Sequence, residues 1–152
     1  LKFGLKEAGV ADWPVMPLEG LWWAEDKGAF AEGADRSAWQ WTMMIAQPDL
    51  VTVEQVEQAR TEARRRRSSE GSGGLPALDR MRLETCAEGL SAQILYLGAY
   101  ADEGPTIARL HAWIAEQSYV PHGKHHEIYL GDPRRTAPER LKTILRQPVA
   151  PR

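Results

Sequence analysis

Residues 91–130, SAQILYLGAYADEGPTIARLHAWIAEQSYVPHGKHHEIYL, decide the fold of this chain. The stretch opens with Ser91–Leu97, a strongly apolar run that is rich in strand-forming residues. Ile107, Leu110 and Ile114 then recur at the spacing of one helix face, which predicts a helix that buries this stripe. The chain is therefore expected to pass from a buried strand directly into an amphipathic helix.

The expected helix is flanked by residues that start and stop helices. Asp102 can serve as its N-cap, and Pro105 is tolerated in its first turn. We expect the helix to end near Tyr119 and Pro121. His125–Leu130 (HHEIYL) follows and alternates polar with apolar residues, which predicts a strand.

Two more strands are expected around turns in this half of the chain. Leu141–Val149 (LKTILRQPV) alternates again after an Asp132-Pro133 turn. Arg82–Ala87 (RLETCA) is predicted to pair with Ser91–Leu97 through a Glu88-Gly89 turn. From Ser91 onward the order is strand, helix, strand, strand.

The first half of the chain repeats the later part of that order, with a helix end followed by two strands. Leu1–Gly9 reads as the end of a helix closed by Gly9, and Leu18–Ala24 and Trp39–Ala46 predict an antiparallel hairpin with a long connection. Thr52–Gln55 resembles an N-cap and acidic first turn, and the helix that it begins is expected to end at the arginine run Arg64–Arg67, which favours a solvated helix end.

The repeated order predicts an α+β fold of two pseudo-symmetric βαββ modules that share one sheet. Within a single domain, we assign residues 1–67 to the first module, 68–74 to a flexible linker and 75–152 to the second module. Helices would cover one face, leaving the other face or the seam between modules as a central ligand groove. The first module lacks its opening strand and much of its helix, and we expect both upstream of Leu1 because a free strand edge invites aggregation.

Bulk composition narrows the possible functions. A chain of 152 residues with a formal net charge of −2 has the size of one domain and no basic field that would draw it to nucleic acid or an anionic membrane. No apolar run is long enough to span a bilayer. The single cysteine, Cys86, cannot form an internal disulfide, so we expect a reducing, cytoplasmic setting.

Aromatic residues are biased towards those with a polar atom. The chain has six tryptophans and four tyrosines but only two phenylalanines. Tryptophan and tyrosine combine an apolar ring with a hydrogen-bonding group and are favoured where a surface holds another molecule. Packing in the core is the alternative for any one of them.

Three long segments resemble the GyrI-like small-molecule-binding domain: WQWTMMIAQPDLVTVEQV, RLETCAEGLSAQILYLGAYADEGPTIARLHAWIAEQSY and KHHEIYLGDPRRTAPERLKTILRQPV. Together they cover most of the chain. The resemblance implies a two-module βαββ fold with a central groove, as in multidrug-sensing effector domains. The HHEIYL and RQPV runs further resemble a branch that hydrolyses cyclopropane-bearing, DNA-alkylating natural products within an aromatic cage.

These resemblances imply two alternative functions. One is binding of planar hydrophobic xenobiotics with hydrolysis of an activated cyclopropane, which would protect the cell. The other is a non-catalytic multidrug-binding sensor or effector module. The sequence leaves the natural ligand and the oligomeric state open.

Glu127 is the leading candidate for the chemistry. Strand alternation places His125, Glu127 and Tyr129 on one face, and Ile128 and Leu130 on the other, where we expect the apolar pair to lie under helices. The resemblance implies that Glu127 is the acid that contacts the ligand. A carboxylate among aromatic rings has a raised pKa, so it can attract a cation or exchange a proton near neutral pH.

The remaining candidates are His125, a predicted ligand-binding residue on the same strand face, and aromatic and acidic residues of other segments. Trp39 and Trp41 share one strand face, so each is either core or cage wall, and the same holds for Tyr96. Tyr100 and Glu103 lie at a strand-to-helix turn, where Glu103 is a candidate second carboxylate or only complements the helix dipole. Tyr129 or Tyr100 could hydrogen-bond a ligand oxygen that gains charge.

Metals and cofactors are not expected. His125 and His126 are adjacent in a strand and point to opposite faces, so they cannot both reach one ion. The sequence contains no nucleophile elbow, phosphate loop or dinucleotide fingerprint. Any enzyme here would be a cofactor-free hydrolase.

Overall fold

A computed structural model describes residues 1–25, 36–69 and 76–152. The helices are α1 (Lys2–Glu7), α2 (Val53–Ser69) and α3 (Gly104–Glu116). The strands are β1 (Leu18–Trp23), β2 (Gln40–Ile45), β3 (Ser91–Leu97), β4 (Tyr119–Pro121), β5 (His125–Tyr129) and β6 (Lys142–Pro151). The chain forms two compact units, one of Leu1–Met16 with Ala46–Cys86 and one of Pro17–Ile45 with Ala87–Arg152.

The second unit holds a six-stranded antiparallel sheet in the order β2-β1-β5-β6-β3, with β4 also paired to β6. The predicted hairpin is confirmed as β1 and β2, and β1 pairs with β5 at the centre of the sheet. Strand, helix, strand, strand is confirmed as β3, α3, β5 and β6. The α+β fold expected for two βαββ modules is therefore the one observed, whereas the module boundaries 1–67, 68–74 and 75–152 stay a prediction.

Helix α3 packs on one face of this sheet and forms the core there. Leu110 and Ile114 of α3 are buried together with Leu145 of β6, which confirms the predicted stripe. Strand register places Glu127 opposite Leu145, and Tyr129 opposite Thr143. Because directly opposed residues share a face, Glu127 and Tyr129 lie on the face that α3 covers.

The expectation that Ile128 and Leu130 lie under helices is therefore wrong. Both belong to the opposite side, and Leu130 is 46% exposed. Alternation within one strand shows which residues share a face but not which face a helix will cover. The covered face is instead indicated by β6, in which the alternate residues Thr143, Leu145 and Gln147 are buried.

Three local expectations also need correction. Arg82–Ala87 forms no strand. Asp102 lies in a 3₁₀ turn, and Glu103 is the N-cap, its carbonyl accepting from the N–H groups of Thr106 and Ile107. Tyr119–Pro121 is not a helix end but strand β4, since α3 stops at Glu116.

The N-terminus of α2 follows the sequence closely. The Thr52 N–H donates to the Gln55 side-chain oxygen at 2.9 Å, and the Gln55 N–H donates to the Thr52 hydroxyl at 3.3 Å. This reciprocal cap confirms the predicted helix start. At the other end Ser68 and Ser69 are helical, and residues 70–74 of the expected linker lie outside the described residues. In the described parts of the chain, no helix combines the length and apolar character needed to cross a bilayer.

Candidate functional site

A chain of hydrogen bonds crosses the helix-covered face from β1 to β5. The indole N–H of Trp22 donates to the Tyr129 hydroxyl at 3.0 Å. That hydroxyl donates in turn to Oε2 of Glu127 at 2.7 Å. The phenol is thereby fixed as donor to the acid, and one carboxylate oxygen of Glu127 is held by the protein itself.

Gly20 makes this arrangement possible. It is buried in β1, and a Cβ atom there would lie 2.8 Å from Nε1 of Trp22 and 2.9 Å from the Tyr129 hydroxyl. Both distances are shorter than real carbon contacts allow. Any larger residue would push the indole and the phenol apart and break the chain at its first hydrogen bond.

Glu103 supplies a second acid from the start of α3. Its side chain lies against the sheet, and the residue is only 4% exposed. Burial, followed by the charge of Glu127, raises the pKa of Glu103 to about 7, and the neighbouring Thr143 hydroxyl acts in the opposite direction. Within the described residues, its Oε1 has no hydrogen-bond partner. This carboxyl is therefore free to exchange a proton near neutral pH.

Two tyrosines beside the acids remain proton donors. The rings of Tyr100 and Tyr129 meet edge to face with centroids 5.4 Å apart. Burial is the main cause that raises the pKa of each, with Glu127 next for Tyr129 and Glu103 next for Tyr100. Both phenols thus keep their protons throughout the physiological range. We call the set Trp22, Tyr100, Glu103, Glu127 and Tyr129 the acid site.

The structure places the predicted residues differently with respect to the acid site. Glu127, Tyr129, Tyr100 and Glu103 belong to it, and His125 lies 3.5 Å from Glu127. The ring of Trp39 contacts Trp22 of the acid site edge to face, with centroids 6.0 Å apart. The other two predicted wall residues share this face of the sheet. Trp41 lies directly opposite Trp22 and is 58% exposed on β2, and Tyr96 lies opposite Thr143, packs against the core and donates its hydroxyl to the Ala99 carbonyl.

Sequence reasoning missed Trp22, Gly20 and His111. Alternation in LEGLWW puts Gly20 and Trp22 on one face, but only the pairing of β1 with β5 reveals that this face carries Glu127. His111 lies eight residues after Glu103 on α3, and that helical spacing was the signal that could have found it.

His126 belongs to a separate network on the opposite face. Its ring nitrogens lie 2.8 Å from Glu19 and 2.9 Å from Glu88, and Glu88 also accepts from Arg146 at 3.2 Å. His126 is 2% exposed, and the two carboxylates that it contacts are largely buried. Among the described residues, no group of three or more His, Cys, Asp or Glu side chains is arranged to hold a metal ion.

A small apolar cavity of about 140 Å³ lies beside the second half of α3. Trp113, Ile114, Tyr119 and Val149 are among the residues that line it. It contains neither of the two acids. The groups capable of proton transfer therefore lie at the acid site and not in this cavity.

Comparison with known proteins places these features in context. A family model described as the GyrI-like small molecule binding domain matches residues 5–150. A crystal structure of an uncharacterized conserved protein from Listeria innocua is 38% identical, with a TM-score of 0.80, covering 98% of this chain and 72% of that one.

Two further Listeria innocua structures are described as hydrolases. One is 36% identical with a TM-score of 0.73 and covers 93% of this chain and 66% of its own. The other is 37% identical with a TM-score of 0.76 and covers 94% and 67%. The chain thus spans about two thirds of the length of these hydrolases. No curated protein sequence matches it significantly.

Proposed function

Because this chain belongs to the GyrI-like small-molecule-binding family, we propose that its acid site binds planar hydrophobic xenobiotics and hydrolyses those that carry an activated cyclopropane. The observation that carries the proposal is the buried Glu103 next to Glu127 within a frame of aromatic rings. The similarity to two Listeria innocua hydrolases supports hydrolysis as the reaction type. Destruction of a DNA-alkylating natural product would protect the cell.

The reaction needs little from the protein beyond positioning and proton transfer. A cyclopropane conjugated to a dienone is strained and electrophilic. The oxygen of a water molecule bonds to a ring carbon, a ring C–C bond breaks, and its electron pair passes into the dienone to give a phenolate. The water loses one proton and the phenolate gains one, so the net change is addition of water.

The residues of the acid site suit these steps. Oε2 of Glu127 accepts from Tyr129, which leaves Oε1 to orient the water and take its proton. Glu103, with a pKa of about 7, can return a proton to the product oxygen. The protonated phenol of Tyr100 can hydrogen-bond that oxygen as it gains charge. Trp22 and the two tyrosines supply flat surfaces for stacking.

Mass spectrometry of a cyclopropane-bearing alkylator tests this proposal. We expect the wild type to form the water adduct faster than the spontaneous reaction, and Glu127→Gln to form it at least roughly 100-fold more slowly, because the amide cannot take the proton. Glu116→Gln, at the exposed C-terminal end of α3, is the matched control and should behave as wild type.

Two outcomes would contradict the catalytic role. One is a wild-type rate equal to the spontaneous rate, and the other is a Glu127→Gln variant as fast as the wild type. Tight binding of the alkylator without adduct formation would instead assign the domain to the non-catalytic class of multidrug-binding modules.

A further inference from the structure

Two histidines beside the acid site, His111 and His125, carry buried ring nitrogens that have no hydrogen-bond partner among the described residues. His111 lies on α3, and His125 opens β5 on the face that α3 covers. Nε2 of His111 and both ring nitrogens of His125 are buried, and none has a hydrogen-bond partner in the described parts of the chain. The nearest acid oxygen, Oε1 of Glu127, is 3.5 Å from Nε2 of His125, beyond normal hydrogen-bond length.

Such nitrogens are unusual in a folded protein. Buried polar side-chain atoms nearly always hydrogen-bond to protein or ordered water, because an unpaired one loses its hydration without compensation. Three such nitrogens on His111 and His125 therefore indicate a binding subsite where a ligand supplies the missing hydrogen-bond partners. Their position next to Glu127 makes this subsite continuous with the acid site.

The protonation state of His111 indicates the chemistry of that partner. Burial, and then the charge of His125, lowers the pKa of His111, so this ring is neutral at pH 7. A neutral imidazole has one N–H donor and one acceptor nitrogen. A ligand carboxylate is repelled by Glu103 and Glu127, and a cation is drawn to those acids rather than to the imidazoles.

We propose that His111 and His125 form a polar subsite for a neutral ligand edge that carries a hydrogen-bond donor next to an acceptor, as in an amide or lactam. The subsite rests on the proposed function, because it belongs to the same binding surface as the acid site. It orients a flat ligand whose rings stack on the aromatic residues, and so selects among molecules of equal hydrophobicity.

Binding of three matched probes to the intact chain tests the subsite. Carbostyril is a planar lactam whose N–H lies next to its carbonyl, N-methylcarbostyril lacks that donor, and naphthalene has two fused rings without polar atoms. By calorimetry or fluorescence titration we expect carbostyril to bind roughly tenfold more tightly than naphthalene, the gain expected from one or two hydrogen bonds. N-methylcarbostyril should lose most of this gain.

Substitution of the histidines should remove the preference without removing binding. In His111→Leu and in His125→Phe, we expect the affinity for carbostyril to fall to that for naphthalene, while naphthalene affinity is unchanged. His122→Leu is the matched control, because this histidine is exposed and only its backbone groups form hydrogen bonds in the described chain. Thermal unfolding checks that each variant is folded.

The outcomes separate this inference from the proposed function. Naphthalene binding with no preference for carbostyril overturns the histidine subsite and leaves the aromatic binding surface intact. A preference that survives in both histidine variants overturns the subsite as well. Failure of all three probes to bind the wild type overturns the proposed function and the subsite with it.

Discussion

Glu103 is the residue whose charge the fold perturbs most clearly within the acid site. Its ordinary pKa is 4.5, and burial together with Glu127 raises it to about 7. The folded protein therefore holds a proton that the unfolded chain releases between these values. Since a raised carboxyl pKa favours the folded state only while the proton is present, this contribution exists in full below pH 4.5 and is lost as the pH rises through 7.

The pH dependence of unfolding reveals this contribution. We expect Glu103→Gln, which imitates the protonated acid, to gain stability relative to the wild type between about pH 5 and 8. The gain is on the order of 3 kcal/mol at pH 7 and above, because one pKa unit corresponds to about 1.4 kcal/mol. Urea unfolding at several pH values measures it. Parallel pH profiles for the two proteins would show that Glu103 is not perturbed, and Glu116→Gln provides the comparison with an exposed acid.

Strand β5 separates two kinds of chemistry on its two faces. Glu127 and Tyr129 face α3, whereas His126 points the other way into the carboxylates of Glu19 and Glu88. These hydrogen bonds join β5 to β1 and to the segment that precedes β3. The buried His126 thus helps to hold β5 in place from the face opposite to the one that carries Glu127.

Loss of that anchor should be costly. We expect His126→Leu to lower the free energy of unfolding by on the order of 3 kcal/mol, because two largely buried carboxylates each lose a hydrogen bond to the ring, and Glu88 keeps only its contact with Arg146. His122→Leu should change it little. Denaturant unfolding of both variants measures the difference. Equal stability of the two would mean that the His126 network contributes nothing to holding β5 in place.

Elements with a local pattern could be predicted from the sequence, and features that depend on pairing could not. The α3 stripe Leu110 and Ile114 and the Thr52 cap of α2 involve residues within one or two turns of each other. Arg82–Ala87 has strand-forming residues but forms no strand, and β3 pairs with β6 at one edge of the sheet. Strand formation there depended on tertiary pairing rather than on composition.

The same distinction applies to the candidate site. Glu127 and Tyr129 were identified because they lie two residues apart in one strand of a recognisable segment. Trp22 hydrogen-bonds to Tyr129, which is 107 positions away in the sequence. His111 of α3 interacts electrostatically with His125 of β5. Contacts across a sheet, or between a helix and a sheet, leave no periodic trace in the sequence.

At the scale of the whole molecule, a ligand has two surfaces to which it could bind, the acid site and the small apolar cavity. The proposed function requires that it binds at the acid site. The acid site lies around Trp22, whereas Trp113 lines the small apolar cavity beside the second half of α3. Each of the six tryptophans has one indole N–H, so each contributes one signal to a proton–nitrogen correlation spectrum. Trp22→Phe and Trp113→Phe assign the two signals that matter.

Titration of the labelled protein with naphthalene, followed through these indole signals, shows which of the two surfaces the ligand occupies. We expect the Trp22 signal to shift progressively and to saturate, because the ligand stacks beside the indole that donates to Tyr129. The Trp113 signal should stay in place. A saturating shift of Trp113 with Trp22 unmoved would contradict the account, since the ligand would then occupy the apolar cavity and not the acid site.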